Sequence, residues 1–372
     1  MRVLVNVFAA LLLLVIALVL LLFLLPSPIQ AVAWQAPAAP GMDDGPYARN
    51  ALLGDATVHG RANVLHAESF AIGPDGAAYT GLSNGDVVRV EREALAVPQA
   101  AQQLPMKRVG NTGGRPLGLV FHPDGYLVVA DGVRGLLKLS LQGEVAVLST
   151  ASEGLPFAFV DDVDVSADGR YAYFSDASSK FGLSHYTLDI LEHAGNGRLL
   201  QYDFETGQTT TLLHGLQFAN GVVLSHDGRY VLVNETAAYR ITRYWLKGER
   251  AGQAESFVQN LPGFPDNIRR GADGHYWVAM PSLRDPLVDK LATYPAVRNG
   301  LATLLQHIEF PVKPHAMALA FNAEGNVAAN LQAPKAGGYY YYITQVTPWG
   351  DQLLMGSVHI TGLAVAPNPL AK

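Results

Sequence analysis

Six short turns join an acidic residue to glycine, and the residues seven positions before those acids are Glu68, Leu117, Asp161, Asn220, Asp266 and Met317. Four of the six carry side-chain oxygens. In five of the copies the residues two and four further on are apolar, as with Phe70 and Ile72 or Val222 and Leu224, which is the alternation of a strand with one buried face. If equivalent strands encircle one axis, Glu68, Asp161, Asn220 and Asp266 converge from distant parts of the chain. Three carboxylates brought together repel one another unless a cation compensates them. An all-oxygen set selects a hard ion, and calcium suits it better than magnesium because its coordination is larger and more flexible. The expected cofactor is therefore Ca2+, with water and substrate completing the shell. The competing reading has each residue capping a strand or accepting backbone hydrogen bonds in a closed axial plug.

The elements that would position these residues follow from the turns. Pro74-Asp75-Gly76, Pro123-Asp124-Gly125, Ala167-Asp168-Gly169, His226-Asp227-Gly228, Ala272-Asp273-Gly274 and Ala323-Glu324-Gly325 each lie between apolar stretches, the pattern of a β-hairpin. Their acids are 49, 44, 59, 46 and 51 residues apart, close to the length of a four-stranded propeller blade. Helical patterns are too scarce for a parallel α/β fold. The predicted fold is all-β, a six-bladed β-propeller with an N-terminal transmembrane helix. Its 372 residues, 49% hydrophobic and 16% charged, suffice for one large core. A net charge of -6 without a basic block argues against nucleic acid as a partner, and zero cysteines exclude disulfides and thiolate sites.

Val3 to Leu25 is apolar except for Asn6, long enough to cross a bilayer, and preceded by Arg2. No Lys or Arg follows until Arg49, so the positive-inside bias puts the remainder across the membrane, on the extracytoplasmic side. Residues 1–25 are expected as a signal anchor in the lipid bilayer, 26–46 as a Pro/Ala-rich stalk, and 47–372 as the propeller. Cleavage after Ala31-Val32-Ala33 is the alternative, although the apolar run exceeds that of a usual secretory signal.

Phe159-Val-Asp-Asp-Val163, Phe174-Ser-Asp-Ala-Ser-Ser-Lys180, Gly197-Arg-Leu-Leu-Gln-Tyr-Asp203, Phe218-Ala-Asn-Gly-Val222 and Leu261-Pro-Gly-Phe-Pro-Asp-Asn-Ile268 resemble the strictosidine synthase-like family, most closely its membrane-anchored branch. The likeness runs from about Glu68 to Met280. It implies kinship with paraoxonases, gluconolactonases and regucalcin, calcium-dependent six-bladed propellers that hydrolyse lactones and esters. By that resemblance the calcium ligands fall on Glu68, Asp161, Asn220 and Asp266, with Asn267 added in the paraoxonase pattern. The family usually has Asn where Asp161 stands. Paraoxonases hold a second, structural calcium on acids equivalent to Ser69 and Asp162; serine is a poor substitute, so a second ion is not expected.

The expected activity is calcium-dependent hydrolysis of a small apolar ester or lactone, the ion polarising the carbonyl and acidifying water. Asp266 is the candidate base or nucleophile by resemblance. The paraoxonase histidine aligns near Leu117, and His315, assigned to the inner strand of the sixth repeat, is a possible replacement. Two alternatives are an amine-aldehyde condensing enzyme of strictosidine synthase type and a non-catalytic calcium-binding scaffold. Asp176, Ser178, Ser179 and Lys180 read as structural polar groups at a strand-to-loop junction, Glu235, Arg240 and Arg243 as an ion-pair group, and Tyr339 to Tyr342 as one strand. Leu283 to His307 is a partly helical insertion that fits a lid, a membrane-resting helix or surface packing alike. No Gly-x-Ser-x-Gly, Walker or His-Glu-x-x-His motif occurs.

Overall fold

The computed structural model describes residues 5–9, 12–13, 17, 25–97, 101–272, 274–305, 313–333 and 340–371. Six four-stranded antiparallel sheets form the blades of a β-propeller. Their innermost strands are Phe70–Ile72, Pro116–Phe121, Val160–Val165, Ala219–Leu224, Ile268–Arg270 and Gln345–Trp349, each packed beside the next and the last beside the first. Blades one to four each run in chain order from the axis outward. The sixth closes the ring: its outermost strand is Thr57–His59, paired with Leu363–Pro367. The first and last strands are thus hydrogen-bonded neighbours, and no blade is left with an open seam.

The core lies between blades, where the apolar face of one sheet meets the next. Trp277, Ile343, Val346 and Leu353 are fully buried in one such layer, between blades five and six. Near the axis the inner strands crowd. A Cβ on Gly118 would stand 2.5 Å from Asp162 Oδ1, and one on Gly221 2.5 Å from the Ile268 nitrogen. The glycines after Leu117 and Asn220 therefore permit the close approach that brings one blade's polar residue beside the next.

The structure departs from two sequence expectations. Ala323-Glu324-Gly325 is not the inner turn of blade six. It joins Met317–Phe321 to Val327–Gln332, the two outer strands of blade five. The insertion after Met280 splits that blade, so its outer hairpin falls one blade-length beyond the previous turn. The true sixth inner turn contains Trp349-Gly350-Asp351, with glycine before the acid. Tyr340 to Tyr342 are not part of a strand: Tyr340 donates to the Gly362 carbonyl, and Tyr342 takes a left-handed φ of 52°. Tyr339 lies outside the described residues.

Three short helices roof one side of the propeller: α1 (Tyr186–Glu192) within blade three, and α2 (Pro286–Leu291) and α3 (Pro295–Leu305) within the blade-five insertion. Helix α3 packs against both others, so the insertion forms a lid over the cavity described below. The segment 26–46, expected as a stalk, begins as a docked strap. Val32 N donates to the Glu192 carbonyl at 2.8 Å, and Trp34 N to the Ala292 carbonyl at 3.0 Å. Ile29 is buried with Phe181, Leu188 and Ala302, while Trp34 stacks on His193 at 4.3 Å. Two large apolar side chains in a Pro/Ala-rich run anchor it together with these backbone bonds. Most of residues 3–25 lies outside the described residues, among which no helix is long and apolar enough to cross a membrane.

Candidate functional site

The inner strands begin at one end of a cavity of about 890 Å³, into which every blade contributes its residue at the same place: Glu68, Leu117, Asp161, Asn220, Asp266 and Thr344. Five are the residues that the repeat selected. Met317 is not among them, because it belongs to the third strand of blade five. Thr344 takes its place, seven residues before Asp351, and would have been found had the turn pattern allowed glycine to precede the acid.

The acids on this floor are buried and only partly satisfied. Glu68 is 4%, Asp161 2% and Asp266 9% exposed. Asn267 Nδ2 donates to Glu68 Oε1 at 3.2 Å and to Asp266 Oδ1 at 3.3 Å, tying blade five to blade one. Asn220 hydrogen-bonds the Asp266 side chain, and Asp161 shares a hydrogen bond with Glu68. Four acceptor oxygens have no hydrogen-bond partner: Glu68 Oε2, Asp161 Oδ1, Asn220 Oδ1 and Asn267 Oδ1. Buried acceptors are rarely left so, and an array of them fits a cation. The carboxylates alone do not make a metal centre: among the described residues no group of three or more His, Cys, Asp or Glu side chains could hold an ion. The asparagine oxygens are therefore integral to any such site.

Electrostatics point the same way. Burial pushes the Glu68 carboxyl up to about 7, against the attraction of Arg115 and the Asn267 hydrogen bond. Burial, then the neighbouring Glu68 charge, raises Asp161 and Asp266 well above the usual carboxylate range. Arg115 bonds the His66 carbonyl at 2.7 Å and is itself lowered by burial. This floor holds more negative charge than it can solvate, so a bound cation would relieve it.

His315 lines the cavity but stands just before the third strand of blade five, not on the inner strand of blade six. Gln332 hydrogen-bonds its ring, burial lowers its pKa, and its Nε2 has no partner. Opposite the polar floor is an apolar wall. Leu183, Tyr186 and Ile190 contribute from the α1 region, Val288 and Leu305 from α2 and α3, and Phe159, Phe218 and Phe264 from the loops.

The other polar groups brace this architecture. Asp176 and Arg198 are a buried pair at 2.6 Å; Ser178 Oγ donates to Asp189 Oδ1 at 2.7 Å, and Lys180 pairs with Glu192, which fastens α1. Glu235 binds Arg240 through both oxygens. Arg243 is not part of that group: it pairs with Glu255 at 3.4 Å and lies over the Tyr230, Trp245 and Phe257 rings.

Residues 161–249 match the strictosidine synthase family model, and residues 45–90 match that of the strictosidine synthase-like N-terminal region. The chain is 39% identical to the adipocyte plasma membrane-associated protein of Salmo salar, over 92% of its length and 85% of the relative's. It is 34% identical to the protein strictosidine synthase-like 3 of Arabidopsis thaliana, over 86% of this chain and 87% of that one. Among solved structures, a gluconolactonase of Xanthomonas campestris superposes with a TM-score of 0.58 at 15% identity, covering 93% of this chain and 99% of its own. The calcium-binding protein regucalcin of Agrobacterium tumefaciens does so with a TM-score of 0.57 at 16% identity, covering 84% and 93%. These two establish a shared propeller fold. On the sequence relatives, which match nearly from end to end, the chain belongs to the strictosidine synthase-like family.

Proposed function

We propose that the cavity is a hydrolytic site for esters or lactones that works with one calcium ion on its floor. The observation that carries this reading is the set of unpartnered buried oxygens on Glu68, Asp161 and Asn220, which line a largely apolar cavity, with that of Asn267 beside them. Asp266 completes the proposed ligand set. When bound, the ion would supply Lewis acidity toward a carbonyl oxygen and a lowered pKa for an attacking water. The chain's own groups do the rest. Asp266, held by Asn220 and Asn267, would be kept ionised by the ion and is placed to accept a proton from an attacking water. His315, kept neutral by burial and with Nε2 free of protein partners, offers a second acceptor on the wall. The apolar roof suits an acyl or aryl substituent and keeps bulk water from the reacting carbonyl.

Membrane attachment through residues 3–25, with the propeller on the extracytoplasmic side, is part of the proposal. It is supported by the apolar run and by a relative named for its association with the plasma membrane. The test is turnover of a panel of aryl esters and lactones by the full chain in detergent, with calcium or with chelator. Calcium-dependent turnover is expected, with Asp266→Asn lowering kcat/KM by roughly 10²–10⁴-fold while the fold is retained. Turnover that is indifferent to both chelator and the substitution would remove the site assignment.

A further inference from the structure

One residue beyond Asp161 on the same inner strand, Asp162 is fully buried, and both its oxygens are bound by one guanidinium. Arg269 Nη2 donates to Oδ1 at 2.7 Å and Nη1 to Oδ2 at 2.6 Å, the parallel fork of a bidentate pair. Oδ2 also accepts the Val222 N–H at 2.9 Å. Asp162 comes from blade three, Val222 from blade four and Arg269 from blade five, so the pair bridges blades that are not neighbours. Two residues further along, the motif repeats: Asp164 Oδ2 accepts the Leu224 N–H at 2.8 Å and lies 3.1 Å from Arg270 Nη2.

In the paraoxonase pattern, acids equivalent to Ser69 and Asp162 hold a structural calcium. The donors present here do not fit that ion. Ser69 Oγ donates to the Leu117 carbonyl, and both Asp162 oxygens are already engaged by a cation, the Arg269 guanidinium. We infer that Arg269 is a resident cation serving in place of a second metal ion: it neutralises Asp162 and joins blades three, four and five whether or not calcium is bound. Arg269 Nη1 also donates to its neighbour's carbonyl, on Ile268, at 2.8 Å, which fixes the guanidinium plane.

On the hydrolytic reading, this pairing bears on how many ions the floor above takes. Arg269 matches the Asp162 carboxylate, which leaves Glu68, Asp161 and Asp266 as the acids of the floor, with Arg115 acting on Glu68. A built-in guanidinium thus leaves one calcium to be bound, where the two-ion pattern needs two.

Removing the guanidinium should expose the requirement that it meets. In Arg269→Met the Asp162 carboxylate and the Ile268 carbonyl are released together, as a nucleus for a calcium site. The full chain, Arg269→Met, Arg269→Lys and the doubly neutral Asp162→Asn/Arg269→Met are melted in chelator and in millimolar calcium, with calorimetric titration of each. In chelator, Arg269→Met should melt about 4–7 °C below the native chain, the scale for a broken buried pair. Calcium should restore more of that loss than it adds to the native chain, and titration should show one more ion than in the native chain. Arg269→Lys, which keeps the charge, and the neutral pair should show no such extra ion. If Arg269→Met does not fold in chelator, its refolding yield with and without calcium reads the same property. A calcium response in Arg269→Met no larger than the native one overturns the inference. Failure of the native chain to bind any ion, with Arg269→Met gaining one, would instead sink the hydrolytic reading and leave this inference standing.

Discussion

Protonation of the cavity floor should trade against calcium, and the sign of the effect can be worked out. The Glu68 carboxyl is raised from an ordinary 4.5 to about 7 in the folded chain, chiefly by burial. Between those two values the folded state binds a proton that the unfolded state has released. The stabilisation is therefore complete below 4.5 and is lost as pH rises toward 7, with the charged form left unsolvated above it. Over 7 − 4.5 = 2.5 pH units, this amounts to on the order of 3 kcal/mol for the calcium-free protein. Asp161 and Asp266, raised as well, act in the same direction. Calcium requires the ionised floor, so its stabilising effect should be strong at pH 8 and largely gone near pH 5.5.

Groups elsewhere complicate a single pH curve. Asp189, raised to about 6 by burial, adds to the same slope, whereas His193, lowered to about 4 by burial, opposes it below the usual histidine range. These contributions cancel when melts with calcium and with chelator are subtracted at each pH. The difference in Tm should shrink by roughly 4 °C from pH 8 to pH 5.5, given about 1.3 °C per kcal/mol for a chain of this size. Glu68→Gln, with no proton to exchange, should flatten part of that dependence. A calcium effect that is constant over this pH range, or that grows on acidification, would refute the claim that these carboxylates are the ion's ligands.

Two further outcomes test the supports of the site. Asp176→Asn leaves Arg198, 3% exposed, without its counter-charge, and a loss of about 3–5 kcal/mol is expected in chemical denaturation; converting both to neutral residues should cost less. Deleting residues 26–46 from the full chain, joining the apolar segment directly to Tyr47, removes Ile29 and Trp34 from the lid helices. Amide exchange should then quicken in 186–192 and 295–305 while the inner strands stay protected, and unchanged exchange in those helices would show the strap to be passive.

Much of the fold was written locally. Apolar alternation into an acidic-Gly turn located the inner hairpins of blades one to five, because each hairpin needs its own turn residues and its own buried face. The same period placed Glu68, Asp161, Asn220 and Asp266 at equivalent positions without any knowledge of their neighbours. It failed at blade six, where the turn order is inverted and the last strand is borrowed from the N-terminus, so no contiguous stretch of chain encodes that blade. Thr344 and the true setting of His315 were lost with it. What only the tertiary structure decided is which charges meet. Arg269 reaches Asp162 across 107 residues, and Asn267 reaches Glu68 across 199. Such pairs leave no periodic trace, since a side chain's partner across the axis is set by ring closure and blade stagger, whereas a residue's own strand and face are set by its immediate neighbours in sequence.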